Sequence, residues 1–205
     1  MIITLIRRVL SAASYALLAG TLGALLSGCM PDYNWREVRV ADQHYVVTMP
    51  GKTASMSRPI DLDGLRLAMS MQGVKVNDVT YTVASVPLPD NSAATQAKVL
   101  AAMQTGMLRN IGGKTTASLE HKTTVVDASD KKIAESIGIK IIALGTPPST
   151  VDQPAKPEKL ALHGLFVAHN QKAWQVVVMG PEAAFKNANT LETAKQLIDS
   201  FRIIQ

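Results

Sequence analysis

Leu65-Arg66-Leu67-Ala68-Met69-Ser70-Met71-Gln72-Gly73-Val74-Lys75-Val76-Asn77-Asp78-Val79-Thr80-Tyr81-Thr82-Val83 is the stretch on which the fold turns. Leu65, Leu67, Met69 and Met71 alternate with Arg66, Ala68 and Ser70, and Val79, Tyr81 and Val83 alternate with Thr80 and Thr82. Successive side chains of a strand point to opposite faces, so a period of two describes two strands, each with one buried face. Gly73 to Asp78 supplies the turn that joins them into a hairpin. Pro87-Leu88-Pro89-Asp90 ends the second strand, because proline offers no N–H to a ladder.

Upstream, Tyr45–Met49 is β-branched and aromatic and stops at Pro50-Gly51, a strand running into a turn. Downstream the period changes. Gln96, Val99, Leu100, Met103, Met107 and Ile111 recur at three- and four-residue steps, which predicts a helix over residues 92–111 with Ser92 as its N-cap. Gly112-Gly113 stops it, as a helix end needing positive φ would. Strands are expected over residues 115–126 and, where Ile137, Ile139, Ile141 and Ala143 alternate, over residues 137–144. Residues 146–157 hold four prolines and read as an exposed loop. A second hairpin follows, 160–169 with 173–179 across Asn170-Gln171-Lys172. A closing helix over roughly 191–203 carries the stripe Leu191, Ala194, Leu197, Ile198 and Phe201. The expectation is an α+β fold: a mostly antiparallel sheet of about six to seven strands with two main helices packed on it.

The N-terminus has a different character. Arg7 and Arg8 precede residues 9–26, an uncharged run rich in Ala, Leu and Gly, which has the parts of a secretory signal. Leu26-Ser27-Gly28-Cys29 closes it and resembles the lipobox of bacterial lipoproteins. That resemblance implies signal peptidase recognition at Leu26, Ser27 and Gly28, cleavage before Cys29, and palmitate-type acyl chains on Cys29 as the membrane anchor. Met30, not Asp, follows the cysteine, which by the family's sorting rule implies the outer membrane of a Gram-negative cell, with the domain facing the periplasm. The alternative is an uncleaved signal anchor, since about 18 apolar residues just span a bilayer. Cys29 is the only cysteine, so an intramolecular disulfide is excluded. The expected organisation is a signal peptide at 1–28, a lipidated N-terminus and short tether at 29–40, and one α+β domain at 41–205.

A second resemblance rests on element order. A strand closing on Pro50, a strand pair, a long helix and a terminal hairpin with Trp174-Gln175-Val176-Val177-Val178 lead into a helix ending Ser200-Phe201-Arg202. This is similar to the PsbP-like α/β/α sandwich, shared by a photosystem accessory subunit and small bacterial lipoproteins. It would cover residues 35–205 and implies a binding or assembly role more than catalysis.

Composition narrows the function classes. Of 21 lysines and arginines, Arg7 and Arg8 fall in the leader, so 19 face 16 carboxylates and the net charge is +3. With 4% aromatic residues, that balance gives no nucleic-acid signature. His44, His121, His163 and His169 form no metal-ligand spacing, and His163 and His169 would share a strand face about 20 Å apart. Met69 and Met71 on one strand, and Met103 and Met107 on the helix, could supply thioethers to Cu(I), but their register with Leu65 and Leu67 and with the helix stripe suits core packing. Gly112-Gly113-Lys114 lacks the Walker spacing, no nucleophile elbow is present, and Lys131-Lys132 reads as a charged turn. Trp35 and Trp174 read as packing anchors, with contact to a partner or the membrane surface as the alternative for Trp35, near the tether. No cofactor and no catalytic or metal-binding residue is expected. The sequence therefore points to a non-enzymatic envelope lipoprotein, attached to lipid through Cys29 and binding an envelope protein. A small-molecule or copper carrier is the alternative, and a hydrolase the third reading.

Overall fold

A computed structural model describes residues 33–148 and 158–205; Leu26, Ser27, Gly28 and Cys29 lie outside them. Tyr33–Gln205 forms one compact unit. In chain order its elements are β1 (Arg36–Val40), the 3-10 turn η1 (Ala41–Gln43), β2 (Tyr45–Met49), β3 (Ala54–Leu62), β4 (Leu65–Val76), β5 (Val79–Pro87) and α1 (Ala93–Asn110). They continue with β6 (Gly113–Val126), β7 (Lys132–Gly145), β8 (Leu160–His169), β9 (Lys172–Pro181), η2 (Glu182–Lys186), α2 (Ala188–Ser200) and β10 (Arg202–Ile204). All the strands join in one sheet, ordered β1-β2-β10-β6-β7-β8-β9-β5-β4-β3. Neighbours are antiparallel except β10 and β6, which run parallel, so the sheet is mixed.

The expected six to seven strands are corrected to ten, and each of the three additions has a physical reason for escaping the periodicity. β1 and β3 are the two outer strands of the sheet. An edge strand needs no continuous apolar face, and charge or proline on it discourages stray pairing. β3 is accordingly exposed along most of its length and carries Arg58, Pro59 and Asp61, so it shows no period of two. β1 carries Arg36, Glu37 and Arg39, and it brings the sheet back before residue 41, where the domain was expected to start. β10 is three residues long, too short for any periodicity, and it replaces the end of the closing helix, which stops at Ser200. One signal for β3 does stand in the sequence. Asp63-Gly64, with φ of 54° and 85°, makes the two-residue turn into β4.

Other local expectations meet their geometry. The Ser92 hydroxyl accepts from the Thr95 N–H at 3.2 Å and caps α1, and Gly112 takes φ of +55° behind it. The β4–β5 hairpin turns on Asn77-Asp78 alone, because Gly73 to Val76 extend β4. Asn170-Gln171 turns β8 into β9.

The two helices lie over opposite faces of the sheet. Tyr81, Val83, Leu165, Trp174, Val176 and Val178 pack with Ala194, Leu197 and Phe201 at the α2 end. Ala84, Val86, Leu162, Phe166, Ala173 and Val177 pack on the other face with Val99 and Met103 of α1. The β8–β9 hairpin thus contributes residues of both parities to two cores. η1 closes the first core: the Trp174 indole N–H donates to the Gln43 carbonyl at 2.9 Å, and the Ser85 hydroxyl donates to the Gln43 side-chain oxygen at 2.7 Å.

Candidate docking site on the β6–β7 hairpin

β6 and β7 are the longest strands, 14 residues each, and they outrun both helices. At the root, Ile141 and Ala143 are buried in the α1-side core. Ile137 and Ile139 have the same parity but stand 53% and 40% exposed, and Ile133, at the bulge near the turn, is also exposed. On the opposite face Ile142 and Leu144 of β7 and Leu119 of β6 are exposed, Leu119 by 68%. Six of the eight exposed large apolar residues among the described residues therefore sit on this one hairpin.

A seventh, Leu191 of α2, faces the same region. Ala117, Leu119, Ile142, Gly164, Leu191 and Ile198 wall a groove of about 270 Å³ between β6, β7, β8 and α2. Its polar rim is Lys140 and Lys195, both gripping Asp199, at 2.6 and 3.2 Å. Burial works to raise the Asp199 carboxyl, but the two lysines outweigh it and hold the group below its usual range. His121 beside them is pushed down by burial and then by the Lys140 charge, with Asp199 opposing. His163, also in the groove, is pushed down by burial. Its ring lies flat on Phe185, centroids 4.8 Å apart and planes within 2°, which suits a neutral imidazole.

The remaining sequence candidates separate. His163 and His169 do lie on one face of β8, but in different places: His169 lines a cavity of about 370 Å³ with His44, Lys172 and Trp174. Among the described residues no three His, Cys, Asp or Glu side chains gather as metal ligands would. Met69 and Met103 are buried in the α1-side core, with Met71 and Met107 packed against it. The Gln175 amide donates to the Met107 sulfur at 3.6 Å. The Ser136 hydroxyl lies 2.6 Å from His169 Nδ1, a serine–histidine contact that the sequence had no motif to reveal. The other ring nitrogen is 3.4 Å from the Gln205 side-chain oxygen, and among the described residues no carboxylate is hydrogen-bonded to the ring. Ser136 is itself buried, so the pair lacks the orienting acid and the open nucleophile of a catalytic triad. Trp174 is buried and Trp35 is half-buried, its ring 5.9 Å from Tyr33. Lys131 and Lys132 follow the turn that Asp127 organises by accepting from Ser129 and Lys131 N–H groups. Among the described residues no helix is long and apolar enough to cross a membrane.

No family model and no curated protein matches the chain. Two solved structures are similar to it at 8% identity. One is a protein of unknown function from Pseudomonas aeruginosa, with 82% of this chain and 95% of that one covered and a TM-score of 0.41. The other is the cyanobacterial PsbP protein of Synechocystis, with 86% and 96% covered and a TM-score of 0.49. The second carries the family name suggested by the element order, but neither score is high enough to establish a shared fold.

Proposed function

We propose that this protein is a membrane-anchored periplasmic lipoprotein, non-enzymatic, that docks a protein of the cell envelope through its β6–β7 hairpin. Support for the anchor comes from the Leu26-Ser27-Gly28-Cys29 lipobox, and Met30 favours the outer membrane. The observation that carries the docking role is the apolar hairpin. Soluble domains scatter exposed apolar residues singly, whereas a concentration on one element marks an interaction surface. Fully burying an exposed isoleucine or leucine contributes about 1.5–3 kcal/mol; these six side chains are 37–68% exposed, so covering them contributes roughly half of that for each.

The test is a photo-reactive side chain placed at Ile139 in cells, with one at Thr105 of α1 as the control. A defined envelope protein is expected from Ile139 alone. Equal or absent capture at the two sites would overturn the docking reading. Cys29→Ala should separately abolish lipid labelling and release the protein from membranes. A second reading, a carrier of small apolar molecules, is favoured by the groove beside α2. It would show as a ligand in an organic extract of the purified protein.

A further inference from the structure

β6 has a neighbour along its whole length on one side only. It pairs with β7 from Gly113 to Val126, while β10 reaches its other side only at Val125 and Val126. Among the described residues, no main-chain partner meets the outer side of residues 114–124. This is a third sheet edge, concealed by the strand order.

The three edges are guarded differently. β1 is five residues long and largely charged, and β3 contains Pro59. Both devices deter strand addition. β6 has a bulge between Thr115 and Ala117, where the Thr116 hydroxyl donates to the Ile142 carbonyl at 3.1 Å. Beyond that bulge the edge carries no proline and, over Ala117 to Leu119, no charge, and Leu119 stands exposed on it beside the groove.

We infer that the outer edge of β6 accepts an extended segment of a partner protein as an added antiparallel strand, with alternating apolar and acidic side chains. This rests on the docking role proposed for the hairpin and says how the partner is held. Main-chain hydrogen bonds to residues 117–122 supply the register. On the α1 side, apolar side chains of the segment lie toward Ile137 and Ile139 of β7. The acidic preference follows from the surrounding charge. On the α2 side, where the segment's acidic side chains then lie, Lys140 and Lys195 share the single carboxylate of Asp199 and leave a net positive charge.

Amide hydrogen exchange on the full chain tests this with peptides of about seven residues, a common strand length. The probes are an alternating Val/Asp peptide, its Val/Lys counterpart and a scrambled Val/Asp peptide, each at about 1 mM. The Val/Asp peptide should slow exchange across residues 114–122 by at least about tenfold and leave β3 unchanged. Ser118→Pro and Leu119→Pro provide the block, because successive N–H groups of a strand alternate in direction. The variant that keeps the parent melting temperature marks the outward N–H, and it should lose the protection. If both unfold, the three peptides on the unmodified chain still decide. No slowing on β6, slowing on β3 instead, or equal slowing by the Val/Lys or scrambled peptide would overturn the inference. Capture of a partner at Ile139 without β6 protection would sink strand addition and leave the docking role standing.

Discussion

The β8–β9 and β6–β7 hairpins are built from the same material and end in opposite conditions. β7 and β8 pair directly, and both are rich in Val, Ile and Leu. Yet β8 and β9 are buried on both faces, whereas β6 and β7 carry exposed apolar side chains on both. Coverage makes the difference. The helices sit over the centre of the sheet, and the β6–β7 hairpin extends beyond them. One hairpin therefore holds the fold together, and the other is free to hold something else.

The largest effect should come from striking the covered hairpin. Trp174 is 1% exposed and touches Phe201 edge-on at 6.2 Å, so Trp174→Ala should cost about 3–5 kcal/mol in denaturant unfolding. The root of the other hairpin should behave like core despite its bare surface. A Cβ on Gly145 would lie 2.3 Å from the Ile111 carbonyl oxygen, so Gly145→Ala should cost about 1–3 kcal/mol in the same assay.

Acid should loosen the junction between the two regions. Burial holds the His163 pKa below its ordinary value of 6.5, so the unfolded chain binds a proton first as pH falls. Stability should therefore drop as pH falls below about 6.5, and level off under the folded-state pKa. His163→Gln should flatten that part of the pH profile; an unchanged slope would remove His163 as its source. The smallest effect belongs to the hairpin tip. Arg39 contacts both carboxylate oxygens of Asp130 in the β6–β7 turn at 2.6 Å, on the surface, so Arg39→Ala should cost about 0.2–1 kcal/mol in thermal unfolding.

The same contrast explains what the sequence could disclose. Leu65 to Met71, Val79 to Val83 and the cap Ser92 were legible because local periodicity and local hydrogen bonding decide them. β1, β3 and β10 were not, because an edge strand or a three-residue strand owes its existence to the neighbour it pairs with. The exposed apolar row of β7 was hidden for a related reason. Ile137, Ile139, Ile141 and Ala143 form one alternating series, yet the first two are exposed and the last two buried. Periodicity states which residues share a face; only tertiary packing states whether that face is covered. The Ser136–His169 contact also joins positions that no sequence spacing would have paired.

The most direct measurement is the double substitution Ile137→Ser/Ile139→Ser in the full chain, read for stability and for envelope-protein capture together. Because both side chains are about half exposed and lie outside the two cores, the melting temperature should stay within about 2–4 °C of the parent, while capture through the hairpin is lost. Undiminished capture by a stably folded variant would contradict the account. So would a loss of stability comparable with that of Trp174→Ala, since it would make the two isoleucines part of the core.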